Sequence, residues 1–137
     1  NEVDDLGLKN VRVIRRDVLK LLRDHVEDQS FDKVYLFFPE PWPKDKDIDR
    51  RLIRPMLLDL LEQRLTPGSL MHIATDVHDY AVHVADVFAT RARWESLARP
   101  GEILVERPEW RPMTKYEQKG LDEGRSIHDL CYRFNGW

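Results

Sequence analysis

An α/β fold on a parallel sheet is what the sequence predicts, and three observations carry that prediction. Short apolar runs alternate with stripes of helical period, three of those runs end at a carboxylate, and 137 residues are enough for one core. The first run, Val11 to Ile14, is β-branched apart from Arg12 and leads through Arg15 and Arg16 to Asp17, so it reads as a short strand. Val18, Leu19, Leu21, Leu22 and Val26 follow at helical spacing, with Asp17 placed as their N-cap. Lys33 to Phe38 is the second run, long enough for a buried strand and too short for a helix, and Pro39 stops it. From Ile48 to Leu65 the apolar positions form a helical stripe that Pro55 should kink or restart, and Thr66-Pro67-Gly68 should end it. Ser69 to Thr75 is the third strand, ending at Asp76, and an amphipathic helix is expected from Val77 to Ala92. Trp94 to Leu97 and Ile127 to Phe134 are the remaining strands, with a proline-bearing irregular stretch between them. In such sheets ligands gather at the C-terminal ends of the strands, which would put Asp17, Glu40 and Asp76 on one functional edge.

The chain lacks an internal repeat, a low-complexity tract and an interdomain linker, so residues 1–137 are read as a single domain. Hydrophobic residues make up 42% and charged residues 34%, which suits a packed core under a hydrated surface rather than disorder. With 22 basic and 25 acidic residues the net charge is −3, so a polyanion would have to be met by a local basic stripe. Cys131 is the single cysteine, which excludes an internal disulfide and makes the cytoplasm the expected location. The longest apolar run, Val34 to Phe38, is far below the roughly 20 residues that span a bilayer, so no membrane association is expected. No basic region or apolar stretch of a signal peptide follows Asn1.

Several chemistries lack their residues. The six glycines are scattered, leaving neither a Walker A loop nor a G-x-G-x-x-G turn. The five histidines show no HExxH and no pairing with cysteine, so no metal site is expected. No serine occupies a nucleophile elbow, and covalent catalysis is unsupported.

The informative segment is Phe37-Phe38-Pro39-Glu40-Pro41-Trp42-Pro43-Lys44. Prolines at every second position fix φ and stiffen the loop, holding an acid, a flat aromatic and a base in set directions. It reads either as a bare extended strand exit or polyproline-type ligand, or as an element that hydrogen-bonds a purine edge, stacks on it and pairs with phosphate. Lys44, Lys46, Arg50, Arg51 and Arg54 then stand among Asp45, Asp47 and Asp49. That run is either a solvated helix start or a stripe that tracks phosphates. A second cluster runs from Arg107 to Gly120, in which Thr114 and Glu117 form a capping-box pattern that starts a helix; the same loop would suit base recognition.

FFPEPWPK with its basic run, then IATD, then RPMTKYEQKG, in this order and spacing, resembles the bacterial tRNA (guanine-N7)-methyltransferase family over nearly the whole chain. The resemblance implies a Rossmann-like, S-adenosylmethionine-dependent methyltransferase fold that acts on a variable-loop guanosine of tRNA. It implies that Asp17 binds the adenine end of the cofactor and that Glu40 lies at the methyl-transfer centre, against the cofactor. Lys44 would contact substrate, and the run from Lys46 through Arg50 to Arg51 would touch RNA. Asp76 would bind the guanosine, and Thr114, Lys115, Tyr116 and Glu117 would complete its pocket. Guanine N7 is a lone-pair nucleophile without a proton, so such a reaction needs alignment and charge management rather than a strong base.

Two departures from the family accompany the resemblance. Glu40 stands where the family usually has Asp, which keeps the charge and moves it by about a bond length, at a distance scale where about 1 Å can cost 100-fold. The glycine-rich cofactor turn and the ribose-binding acid, which the family places upstream of the strand at Val11, are not in this chain, so the first two strands of the sheet should be missing and a gap should interrupt its centre. The chain therefore looks like the C-terminal portion of such an enzyme, inactive by itself. The alternatives are a non-catalytic tRNA-binding piece and an amino-methyltransferase acting on another nucleic-acid base.

Overall fold

The computed structural model describes residues 6–137. The elements in order are helix α1 (Val18–Asp24), strand β1 (Phe31–Phe37), a 3-10 turn (Asp45–Arg50), helix α2 (Pro55–Arg64), strand β2 (Leu65–Thr75), helix α3 (His78–Ala89), strand β3 (Trp94–Ser96), helix α4 (Lys115–Asp122) and strand β4 (His128–Phe134). They build a four-stranded sheet in the order β1-β2-β4-β3. β1 and β2 are parallel, as expected of a β–α–β step, whereas β4 runs antiparallel to both β2 and β3. The sheet is therefore mixed rather than parallel. Apolar patterning marks β4 as a strand and carries no information about its direction, which follows from the route of the chain through α4.

Three further expectations are corrected. Residues 11–14 form no strand, and Val11, Val13 and Ile14 are exposed. A β-branched tetrapeptide has no strand conformation of its own; it needs a paired neighbour, and the pairings of the described residues give it none. With that segment outside the sheet, the four strands of the described residues are contiguous without a central gap, and among those residues β1 is an open edge. As expected of Pro55, the stripe from Ile48 to Leu65 divides into the 3-10 turn and α2, with Pro55 in the first turn of α2, where its missing N–H would have had no intrahelical partner. Thr66-Pro67-Gly68, expected to end a helix, instead lies inside β2 as an irregularity: the step from Phe31 to Lys33 is matched by Leu65 to Leu70. Gly68 at φ +88° makes this turn possible, and the Ser69 hydroxyl donates to the Phe31 carbonyl at 3.1 Å to close it.

The register sorts the sheet into two faces. Met71, Ile73, Leu130, Tyr132 and Phe134 point one way and form the core with Ile53, Leu57, Leu58 and Leu61 from around α2 and Tyr80, Val84 and Phe88 of α3. Phe88 stacks on Tyr132 with ring centroids 3.8 Å apart. Full burial of side chains such as Leu58, Ile73 and Leu130 contributes about 1.5–3 kcal/mol each. His72, Ala74, Asp129 and Cys131 occupy the opposite face beside Tyr35 and Phe37. Cys131 is buried there with its thiol pKa pushed up to about 11, so it is an inert packing residue. Among the described residues no helix is long and apolar enough to cross a membrane.

Candidate functional site

β1 and β2 are parallel, so their C-terminal ends open on the same edge, and two loops leave there. The first continues β1's ladder for one residue, the Phe38 N–H donating to the Ala74 carbonyl at 2.7 Å, and then enters the Pro39 to Lys44 segment. Phe38 and Trp42 both adopt left-handed backbone, at φ +52° and +42°, although each precedes a proline and neither is glycine. Such conformations cost of order 1–3 kcal/mol each and persist where surrounding contacts over-determine them. Those contacts are visible. The Arg50 guanidinium lies 5.1 Å from the Trp42 ring centroid, and Arg51 Nε donates to the Pro41 carbonyl at 2.9 Å and to that of Trp42 at 3.3 Å. Glu40 and Lys44 are left exposed on this stiffened loop.

The second loop follows β2. Val77 N–H donates to Thr75 Oγ1 at 3.2 Å, a tight turn that holds Asp76 between them. Oδ2 of Asp76 takes the Tyr116 hydroxyl at 3.4 Å and lies 3.0 Å from Arg125 Nε, while Oδ1 accepts no hydrogen bond among the described residues. Tyr116 rides on α4, which Thr114 caps by accepting from the Glu117 N–H at 3.1 Å. The Phe38 and Tyr116 rings meet at 5.0 Å, joining the first loop to α4. His78 and His128 pack ring to ring at 5.5 Å beside Asp76. Burial, and then the neighbouring His78, hold the His128 imidazole below its ordinary pKa against the opposing pull of Asp76 and Asp129.

The structure thus brings Asp76, Thr114 and Tyr116 together and ties the loop of Glu40 and Lys44 to them through Phe38. Lys115 and Lys46, neighbours of these groups in sequence, are exposed. Asp17 caps α1, with Oδ1 accepting from Leu19 N–H at 2.9 Å and Lys20 N–H at 3.3 Å; among the described residues Oδ2 accepts none. Two residues point elsewhere than expected. Arg51 is 6% exposed and its Nε is committed to loop carbonyls, so most of its side chain is turned into the protein rather than out toward a phosphate. Glu117 is 1% exposed and turned inward, where it pairs with Arg111 and with Arg107 Nε at 3.4 Å. The capping pattern fixes the Glu117 backbone and leaves its side chain free to follow a buried cation.

That cation belongs to a network absent from the sequence expectations. Arg111, 2% exposed, donates from Nε to Asp129 Oδ1 at 2.7 Å and from a second nitrogen to Oδ2 at 3.0 Å, a bidentate pair. Asp129 Oδ1 lies 2.7 Å from His72 Nε2, and His72 Nδ1 accepts from the Trp110 indole at 3.0 Å. Because an indole nitrogen only donates, Nδ1 must be the acceptor, which puts the proton of the neutral imidazole on Nε2 and aims it at Asp129. Burial raises the Asp129 pKa, but the hydrogen bonds from His72 and Arg111 and the Arg111 charge outweigh it and hold the carboxyl below its ordinary value. Arg125 is likewise not distinguishable in sequence, since it falls on neither a periodic stripe nor a spaced motif, and Phe38 stands inside the proline-rich motif without any sign there of its contact with Tyr116.

An α/β sheet whose parallel strands carry acids, an aromatic pair and basic residues to one C-terminal edge makes that edge the candidate ligand site, as in other open α/β sheets. The chain's fold is shared with the methyltransferase homolog protein from Pyrococcus horikoshii, at a TM-score of 0.60 and 17% identity over 96% of this chain and 47% of that one. The family model described as "Putative methyltransferase" matches residues 1–130, and the chain belongs to that family. Its relatives include the tRNA (guanine-N(7)-)-methyltransferases of Halorhodospira halophila, 44% identical over 95% of this chain and 56% of the relative, and of Streptomyces avermitilis, 41% identical over 97% and 46%. A third, from Nitrosospira multiformis, is 39% identical over 96% and 56%. The chain spans about half the length of the curated relatives it matches.

Proposed function

We propose that this chain is the substrate-recognising part of an S-adenosylmethionine-dependent methyltransferase that modifies guanine N7 in tRNA, working in the cytoplasm. The observation that carries the reading is the half-committed Asp76: Arg125 and Tyr116 address only Oδ2, and Oδ1 is left to accept from a ligand. A guanine offers N1–H and the 2-amino group as donors along one edge, while N7 lies on the opposite side of the ring, so an acid on the first edge orients the nucleophile without blocking it. Methylation leaves a positive charge on the ring, and Asp76 together with Glu40 lowers the cost of that charge. Lys44, Lys46 and Arg50 are the cations available to phosphate, with Lys115 beside the pocket.

The residues present fit one side of the cofactor. Among the described residues one Asp17 carboxylate oxygen accepts no hydrogen bond and is available to an adenine amino group, and Glu40 is exposed on the loop proposed to lie at the reacting centre. When bound, the cofactor supplies an electrophilic methyl on a sulfonium. Among the described residues no three His, Cys, Asp or Glu side chains are grouped to hold a metal ion.

The test is product mapping. The intact protein is given unmodified tRNA and isotopically labelled methyl donor, and the digested nucleosides are separated by mass. 7-Methylguanosine is expected. Label on an adenine or cytosine amino group would make it an amino-methyltransferase, and tight tRNA binding without label would make it a binding protein only.

A further inference from the structure

We propose that Arg51 is the positioning residue of the Phe38–Lys44 loop, acting on methyl transfer through the backbone it holds; the proposal rests on the chain's role in guanine N7 methylation. Three of the seven residues of that loop are prolines and have no N–H, and beyond Phe38, whose N–H continues the ladder to Ala74, no amide of the loop donates a hydrogen bond among the described residues, so its carbonyls are what fastens it. Arg51 supplies the donor, reaching the Pro41 and Trp42 carbonyls, one on each side of the peptide where the backbone turns left-handed. Its guanidinium also lies 5.6 Å from the ring centroid of Tyr80, a fully buried residue of α3 whose hydroxyl accepts from the Ile53 N–H at 3.3 Å. α3 begins just after Asp76, so Arg51 registers the Glu40 loop against the element that follows the proposed guanine-binding acid. Among the described residues no carboxylate lies within 4.0 Å of this buried cation, and carbonyl dipoles and an aromatic face are its compensation. A planar Nε–H and a flat face are properties of arginine that lysine lacks, so charge conservation alone should not preserve the role.

The experiment compares Arg51→Lys and Arg51→Gln with a Lys46→Gln variant in the intact protein. Both Arg51 variants should lose at least about tenfold in single-turnover methyl transfer, with tRNA affinity and its salt slope unchanged. The Lys46 variant should instead lower the salt slope by roughly 0.7–0.9 for each phosphate that it no longer neutralises. Hydrogen exchange should accelerate in the 38–45 peptide of the Arg51 variants while β2 keeps its protection. A wild-type rate in Arg51→Lys with a lowered salt slope in Arg51→Gln would make Arg51 a phosphate-binding residue and overturn the proposal. Loss of β2 protection in both variants would overturn it too, by making Arg51 a residue of the fold at large. If the wild-type protein transfers no methyl group to guanine N7, the function fails, and the exchange comparison still decides what Arg51 does.

Discussion

Glu40 concentrates the residue-scale question, because it is an exposed carboxylate on a loop that everything around it works to immobilise. An acid meant only for solubility gains nothing from a proline at either side and a strained residue two positions away on both flanks. If it sits at the reacting centre, its contribution appears when charge develops and not when tRNA docks. Glu40→Ala should therefore lower the single-turnover rate by about 10- to 1,000-fold, the range of removing one oriented group at a charge-developing centre, and leave the tRNA dissociation constant within a fewfold. Glu40→Asp gives the matching control, since it retracts the charge by one methylene and should fall between the two. An alanine variant with an unchanged single-turnover rate removes Glu40 from the site.

At the scale of elements, α4 is anchored to the sheet by ions rather than by an apolar face. Arg111 couples Glu117 of α4 to Asp129 of β4, and β4 is tied in turn to β2 through His72. Replacing Arg111 with Leu would strand two buried carboxylates, at a cost of about 3–5 kcal/mol. Urea denaturation should show that as a lower midpoint at unchanged slope, and a change below about 1 kcal/mol would mean that water or rearrangement compensates. The network also has a pH signature. The Asp129 carboxyl has a lower pKa folded than its ordinary 3.8, so its contribution is complete above that value and is lost as pH falls through the folded value. Acid unfolding should therefore begin at higher pH in Arg111→Leu, which loses one of the groups that depress the pKa. The same elements show what the sequence carries. KVYLFF and SLMHIAT lie within or beside β1 and β2 because continuous apolar runs bounded by Pro39 and Asp76 suit buried strands, and Thr114 caps α4 as its pattern requires. The direction of β4, the inward turn of Glu117 and the burial of Arg51 depend on partners 6 to 57 residues away, which the apolar and capping patterns do not contain.

For the molecule as a whole, the open edge of β1 and the cofactor requirement lead to one expectation. Along that edge α1, β1 and α2 enclose an apolar groove of about 280 Å³ lined by residues such as Val18, Val26, Val34 and Leu57. A parallel strand with unpaired ladder groups beside an apolar groove is a surface that invites pairing or aggregation. The same side is where Asp17 stands, with one carboxylate oxygen that accepts no hydrogen bond among the described residues and no glycine-rich turn in the sequence to hold the charged ends of a sulfonium cofactor. A single acid accepting an amino group is worth far less than the affinity of a working cofactor site, since one charge-assisted hydrogen bond contributes about 1.5–3 kcal/mol and a 1 mM site already needs about 4. A protein of these 137 residues alone should bind S-adenosylmethionine more weakly than about 1 mM and transfer no methyl group to tRNA, whereas a protein joining this chain to the other half that its relatives possess should do both. Calorimetric titration with the cofactor, run beside a labelled methyl-transfer assay on each protein, measures the difference. Stoichiometric binding with turnover by the shorter chain would mean that the cofactor is held at the β1 edge by residues other than a glycine-rich turn.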